Sequence, residues 1–242
     1  MRPPPVAIAR PPASAVVLLL VLCCSPLGAL TLDPTVDGVL LGVGATLGGG
    51  SELLDLLKWP PAVAPAQEVF PASQLDLSSM FAYSRDADVA STIFETATLA
   101  VPLVFVAASS QGQALAGTVA YAESLSFAMA AKNGIKSLTP RYRPYTYSGG
   151  APGVDSAEDD KSFPSGHATV AFAAAGFSTY LLLQGYPNSA WFLPLVVTDY
   201  GLAFLTASYR VYSGMHFATD VLAGAVIGTL CGFLLPAIAH RP

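Results

Sequence analysis

Three short blocks of the sequence concentrate residue types that catalyse reactions. They contain two of the chain's three histidines and the three cationic side chains that are the candidate anion ligands, and the loops around them hold no equal set of partner carboxylates. Three cations directed into one cleft suit an anion with several oxygens, such as a phosphoryl group. The residues are Lys136 and Arg143 in the first block, Ser165, Gly166 and His167 in the second, and Arg210, His216 and Asp220 in the third.

The spacing within these blocks predicts how the side chains would work. Ser165 can cap a helix that begins at Gly166 or His167, and the first backbone N–H groups of such a helix form an anion site. Asp220 lies one helical turn after His216 and can hold its Nδ1 proton, which leaves Nε2 free to attack. His167 can then act as an acid from the opposite side. Together these groups predict phosphoryl transfer without a metal ion.

No histidine or carboxylate cluster with metal-ligand spacing accompanies these blocks, so we expect neither a metal nor another cofactor. Three further acidic residues, Glu95, Glu123 and Asp199, lie within apolar segments. We interpret them as buried structural residues that are hydrogen-bonded inside a bundle.

The elements that position the blocks are predicted to be helices. Five apolar segments are rich in Ala, Leu, Val and Phe and lack the period-2 alternation of strands. The connections alternate between short, uncharged ones and longer ones that carry the three blocks. In an up-and-down bundle this alternation brings the active-site loops to one rim. We expect an all-α bundle of five to six core helices, built on residues 91–109, 112–131, 167–183, 190–208 and 217–239.

Composition places this bundle in a membrane. Hydrophobic residues make up 53% of the 242 residues and charged residues only 11%, with a formal net charge of −5. Such a balance excludes a nucleic-acid binder and a disordered chain. The alternative is a soluble secreted bundle, since Glu123 and Asp199 are costly at a bilayer centre. Membrane lipids are therefore the expected surroundings, and no protein partner can be inferred.

The N-terminal part of the chain predicts export. Residues 1–29 combine arginines, an apolar run and small residues, which is typical of a signal peptide, with an uncleaved N-terminal anchor as the alternative. Residues 30–90 are expected to form an N-terminal helix and a proline-rich exposed segment, and residues 91–242 the catalytic domain. Five crossings that begin near Ser91 put both polar loops outside the cytoplasm, whereas a sixth crossing by Val36–Leu57 would reverse this orientation.

The three blocks resemble the signature of the type 2 phosphatidic acid phosphatase superfamily. The matching patterns are Lys-x6-Arg-Pro, Pro-Ser-Gly-His and Arg-x5-His-x3-Asp, in that order. This superfamily includes lipid phosphate phosphatases, bacterial class A acid phosphatases and vanadium-dependent haloperoxidases. One departure is Tyr209, which stands where the family usually has a serine before the arginine of the third block.

The resemblance implies a phosphoric ester hydrolase that acts on phosphomonoesters or pyrophosphates of lipids. His216 would form a phosphohistidine, Asp220 would orient it, and His167 would be the general acid and then the base. The alternatives are a secreted acid phosphatase, a vanadate-binding haloperoxidase and an inactive scaffold protein. The implied phosphate-binding residues are Lys136, Arg143, Ser165, Gly166 and Arg210.

Overall fold

The structure, a computed structural model, describes residues 30–57, 73–109 and 111–240. The predicted leader over residues 1–29 and much of the proline-rich segment lie outside the described residues. Within those residues the chain forms seven α-helices, two 3-10 helices and no strand, which confirms the all-α prediction. The α-helices are α1 (Pro34–Leu57), α2 (Gln74–Leu77), α3 (Arg85–Ala107), α4 (Gln111–Leu138), α5 (Gly166–Gly185), α6 (Phe192–Tyr212) and α7 (Ala218–Ala239).

Helices α3 to α7 are each long and apolar enough to cross a membrane. Their outward faces carry large apolar side chains, such as Ile93, Phe204 and Val226, which are 60–65% exposed. Exposed apolar faces of this length are stable in lipid because a helix satisfies its own backbone hydrogen bonds there. The chain is therefore a membrane protein, as its composition predicts. Helix α1, which contains the acidic residues Asp37, Glu52 and Asp55, is not one of these five apolar helices.

Two helices extend beyond the predicted apolar segments and carry site residues with them. Helix α4 continues to Leu138 and α6 to Tyr212, so Lys136 and Arg210 lie in last helical turns rather than in loops. Polar residues end an apolar pattern, but they do not end a helix. Helix α4 ends just before Pro140, because a proline disfavours helical geometry in the residue before it.

Helices α5 and α7 are in direct backbone contact at the centre of the bundle. A Cβ atom at Gly228 would lie 2.1 Å from the Thr169 carbonyl oxygen, and one at Gly232 would lie 2.0 Å from that of Ala173. Only glycine permits this approach, which is the small-residue packing common between membrane helices. The contact fixes the first turn of α5 beside the first turn of α7, where the second and third blocks lie.

Helix α1 packs along α4. A Cβ atom at Gly44 would lie 2.4 Å from Ser126 Oγ, and Asn133 Nδ2 donates to the Gly48 carbonyl oxygen over 3.2 Å. Glu123, also on α4, and Asp199 on α6 are both buried in the bundle, as predicted. Glu123 contacts His240, but neither carboxylate oxygen of Asp199 has a hydrogen-bond partner among the described residues, which corrects the expectation for Asp199.

Candidate active site

The three sequence blocks meet at one rim of the bundle. Lys136 lies in the last turn of α4, His167 in the first turn of α5 and Arg210 in the last turn of α6. His216 lies in the short connection between α6 and α7. The alternating connections of the bundle bring these helix ends together, as the sequence predicts. The charges of Lys136, Arg143 and Arg210 all act on His216.

His216 is held as a neutral imidazole. Its Nδ1 atom lies 2.7 Å from the Ser162 carbonyl oxygen, which can only accept a hydrogen bond, so Nδ1 carries the proton. The Nε2 lone pair then faces the site, 3.4 Å from Arg143 Nη1. Burial lowers the pKa of His216 well below its ordinary value, and the nearby charges of Arg143 and Arg210 lower it further. The arrangement presents an unprotonated nitrogen among cations.

Asp220 supports His216 differently from the expected direct hydrogen bond. Its Oδ2 atom lies 3.6 Å from His216 Nδ1, whereas it accepts from Ser162 Oγ at 2.5 Å and from the Phe217 amide at 2.9 Å. Asp220 is in the first turn of α7, where a carboxylate is drawn to the free N–H groups of the helix start. The imidazole is thus oriented by the Ser162 backbone, and Asp220 holds the segment that contains Ser162.

Arg141 completes this arrangement and was not identified from the sequence. Its guanidinium forms ion pairs with Asp220 and, over 2.8 Å, with Asp76 of α2, and it lies over the Phe217 ring. Asp76 also accepts from the Thr219 amide over 3.0 Å. Burial alone would raise the pKa of Asp76, but the hydrogen bonds from Arg141 and Thr219 outweigh it and lower the pKa. The first block offered a signal, since Arg141 is an additional cation between its two expected ones.

Two of the three expected cations have carboxylate partners, whereas the loops were expected to hold no equal set of such partners. Arg143 pairs with Glu158 Oε2 over 3.0 Å, and Arg210 pairs with Asp88, which lies on α3 rather than in either loop. In the described part of the chain, Lys136 forms no ion pair. Lys136 is therefore the expected cation that remains available to pair with an anion.

Ser165 caps α5 as predicted, with its Oγ accepting from the Ala168 amide over 3.5 Å. The resemblance implies that Ser165 binds phosphate. Its amide, however, donates to the Asp220 carbonyl oxygen over 3.1 Å and is therefore not available to an anion. The Gly166 amide has no hydrogen-bond acceptor among the described residues and is the free donor at this helix start.

His167 contacts two side chains of α3. Its Nε2 atom lies 3.3 Å from Glu95 Oε2 and 3.4 Å from Thr92 Oγ1. Glu95, interpreted from the sequence as structural, therefore contacts the predicted general acid. A general acid requires the protonated imidazole, which burial and the nearby cations disfavour. The Glu95 carboxylate is the contact of His167 that opposes this effect.

The three blocks lie in a region of the chain that resembles known proteins. A family model described as the PAP2 superfamily matches residues 117–241, which include all three blocks. The lipid A 1-phosphatase of Porphyromonas gingivalis is 40% identical over 30% of this chain and 15% of its own length. Phosphatidylglycerophosphatase B of Bacillus subtilis is 35% identical over 35% of this chain and 42% of its own length.

The undecaprenyl-diphosphatase of Sulfolobus acidocaldarius is 31% identical over 41% of this chain and 44% of its own length. The chain thus spans less than half the length of each of these curated relatives. The family match covers about half of the chain and confirms the resemblance carried by the three blocks. The chain belongs to the PAP2 superfamily.

Proposed function

We propose that this protein is a membrane phosphatase that hydrolyses phosphomonoesters or pyrophosphates of lipids through a phosphohistidine on His216. The observation that carries the proposal is the neutral His216 imidazole, whose Nε2 faces Arg143 while its Nδ1 proton is held by the Ser162 carbonyl. The named activities of the relatives on lipid A, phosphatidylglycerophosphate and undecaprenyl diphosphate support a lipid substrate.

The first half of the reaction forms the phosphohistidine. Nε2 of His216 attacks phosphorus as the P–O bond to the lipid breaks, and protonated His167 gives its proton to the leaving oxygen. Lys136, Arg143 and Arg210 hold the phosphoryl oxygens, with the Gly166 amide as a further donor. These side chains supply the positive charge that a metal provides in other phosphatases, so we expect activity to persist in a chelator.

The second half releases phosphate. A water molecule gives a proton to the now neutral His167 and attacks phosphorus, and the N–P bond breaks to restore the neutral His216 imidazole. Glu95 stabilises the His167 cation before and after each turnover.

The decisive experiment traps the intermediate on the full chain. Purified protein is mixed with ³²P-labelled p-nitrophenyl phosphate, quenched, and assayed for acid-labile, alkali-stable label. We expect label on the wild type, none on His216→Ala, and more label on His167→Ala, because this leaving group departs without an acid while hydrolysis still needs a base. Turnover by His216→Ala would contradict the mechanism.

A substrate panel then tests the lipid assignment. Phosphatidate, phosphatidylglycerophosphate and an isoprenyl pyrophosphate are compared with the chromogenic ester, in the presence and absence of EDTA and vanadate. We expect a lipid to have the highest kcat/KM, EDTA to have no effect and vanadate to inhibit. Peroxide-dependent halide oxidation activated by vanadate would favour the haloperoxidase alternative instead.

The proposed active site faces away from the cytoplasm. Two crossings precede the loop that contains Arg143, and four precede His216, so both return to the side on which α3 begins. Ser148 is exposed in the first of these loops. A single cysteine at Ser148, in a chain without the native cysteines, is expected to react with an impermeant thiol reagent in intact cells. Reaction only after lysis would reverse the orientation.

A further inference from the structure

A second cluster of ionisable groups lies at the opposite end of the bundle from His216. It consists of Asp37 in α1, Glu123 in α4 and His240, which follows α7. Helix α7 has 22 residues and therefore separates this cluster from His216 by about 30 Å. All three side chains are buried, and Glu123 and His240 are fully so. The reaction proposed for the rim has no use for them.

The three residues offer a compact set of nitrogen and oxygen ligands. One such atom from each residue lies within 4.8 Å of the other two. His240 Nε2 is 2.6 Å from Glu123 Oε2, and His240 Nδ1 is 3.8 Å from Asp37 Oδ1. Ligand atoms about 2.0–2.2 Å from one cation lie roughly 3–4 Å apart. A shared ion therefore requires the Glu123–His240 pair to open slightly and the Asp37 carboxylate to turn from the Nδ1 side of the ring toward Glu123.

The tautomer of His240 leaves Nε2 as a ligand. Nδ1 lies 3.0 Å from the Thr31 carbonyl oxygen, which only accepts, so the proton is on Nδ1. A backbone carbonyl in this position is the usual partner of a metal-binding histidine, where it fixes the ring and leaves the other nitrogen free. The bare Nε2 then faces a carboxylate oxygen at 2.6 Å, a distance at which two lone pairs need a proton or a cation between them.

Charge and hydrogen bonding at the cluster point the same way. Two carboxylates are buried beside one imidazole, and neither forms an ion pair with a lysine or arginine in the described chain. Glu123 Oε1 is buried without a hydrogen-bond partner among the described residues. Burying such negative charge in an apolar bundle is costly unless it is compensated. One divalent cation with a neutral imidazole brings the net charge of the cluster to zero.

We propose that Asp37, Glu123 and His240 bind one divalent transition-metal ion, of which Zn²⁺ is the representative. One imidazole and two carboxylates suit zinc better than the all-oxygen sites of Mg²⁺ or Ca²⁺. The ion takes the place of the proton between Nε2 and Oε2 and joins α1 and the end of α7 to α4. Its role is structural, since it lies far from the phosphoryl site.

Metal content tests the site directly. The full chain in detergent is stripped with EDTA, exposed to Zn²⁺, desalted and analysed for zinc. We expect about one zinc per wild-type chain and a loss of at least tenfold in affinity for Asp37→Asn and Glu123→Gln. His216→Ala and Cys231→Ser serve as matched controls and are expected to keep the zinc, because they remove a histidine and a thiol elsewhere. Zinc lost from His216→Ala, or retained equally by both cluster variants, would overturn the proposal.

Two measurements on the wild-type chain decide the matter even if the variants fail to fold. Zinc at a hundredfold excess over Kd is expected to raise Tm by about 5–10 °C. Cobalt in the same site is expected to give weak visible bands without the intense near-ultraviolet band of a thiolate ligand. An unchanged Tm, or a thiolate band, would refute the assignment.

Discussion

At the residue scale, the site depends on keeping one histidine neutral and the other chargeable. His216 is buried among cations, while His167 lies beside the Glu95 carboxylate. The cations Lys136, Arg143 and Arg210 lie near both histidines, so the contact with Glu95 is what distinguishes His167 from His216. The spacing of the blocks predicts both histidines, but it does not predict these surroundings, because Glu95 and Asp88 come from a helix outside the blocks.

The protonation of His216 makes stability depend on pH. Its pKa is lowered in the folded chain, so below about pH 6.5 the unfolded chain binds a proton that the folded chain does not. This contribution to stability is complete above that pH and is lost as pH falls. Between pH 6 and 5 the unfolding free energy of the wild type is expected to fall with pH more steeply than that of His216→Asn. The two slopes are expected to differ by up to about 1.4 kcal/mol per pH unit. Chemical denaturation in phosphate-free buffer measures it, and equal slopes in both proteins would contradict it.

The contact between Glu95 and His167 predicts a dependence on the leaving group. Glu95→Gln keeps the shape of the side chain but removes the charge that stabilises protonated His167. We expect kcat to fall about tenfold or more for a lipid phosphate and far less for p-nitrophenyl phosphate, whose leaving group needs no proton. The ratio of the two kcat values in Glu95→Gln and the wild type is the measurement. An equal loss on both substrates would assign Glu95 a purely structural role.

At the element scale, helix ends were the least predictable feature of the bundle. The apolar pattern locates all five helices that are apolar enough to cross a membrane, but α4 and α6 extend beyond it to include Lys136 and Arg210. Helix α2 lies in a segment that is expected from the sequence only to be proline-rich and exposed. Its Asp76 nevertheless holds the start of α7 through Thr219 and Arg141. Such partners are distant in sequence, so no local pattern could identify them.

The contact between α5 and α7 predicts that adding a single methyl group at this interface lowers stability strongly. Gly228→Ala would place Cβ 2.1 Å from the Thr169 carbonyl oxygen, and the helices must separate to accept it. We expect a loss of about 3 kcal/mol or more in stability together with lower activity. Gly201→Ala in α6 is the matched control, because nothing lies within 4 Å of its Cβ position. Thermal unfolding in detergent compares the two, and equal Tm values would contradict the packing described.

At the scale of the whole molecule, the membrane is the solvent for the outer surface. The composition of the sequence predicts a membrane protein. The structure adds which helix faces meet lipid, because a helix that is apolar on every side does not show which of its faces packs in the core. Which apolar residues lie on the exposed faces therefore becomes known only from the packing of the whole bundle.

A charged residue on the lipid-facing surface tests this assignment. Val226 lies near the middle of α7 and is 60% exposed, so Val226→Lys would cost about 2.5–3.5 kcal/mol in a bilayer but almost nothing in water. We expect a smaller carbonate-resistant membrane fraction for this variant. Leu138→Lys, at the exposed end of α4, is the control and is expected to insert normally. Normal insertion of both variants would mean that Val226 does not face lipid.

The backbone contact between α5 and α7 also bears on how the substrate range could change. His167 lies in the first turn of α5, and His216 lies two residues before α7 begins. The glycines that hold these helices together therefore also fix the spacing of the two histidines. Room for a bulkier leaving group cannot come from spreading the two histidines apart. It has to come from α3, which borders His167 through Thr92 and Glu95 and packs by side chains. Directed evolution toward new substrates is therefore best confined to α3, with α5 and α7 left unchanged.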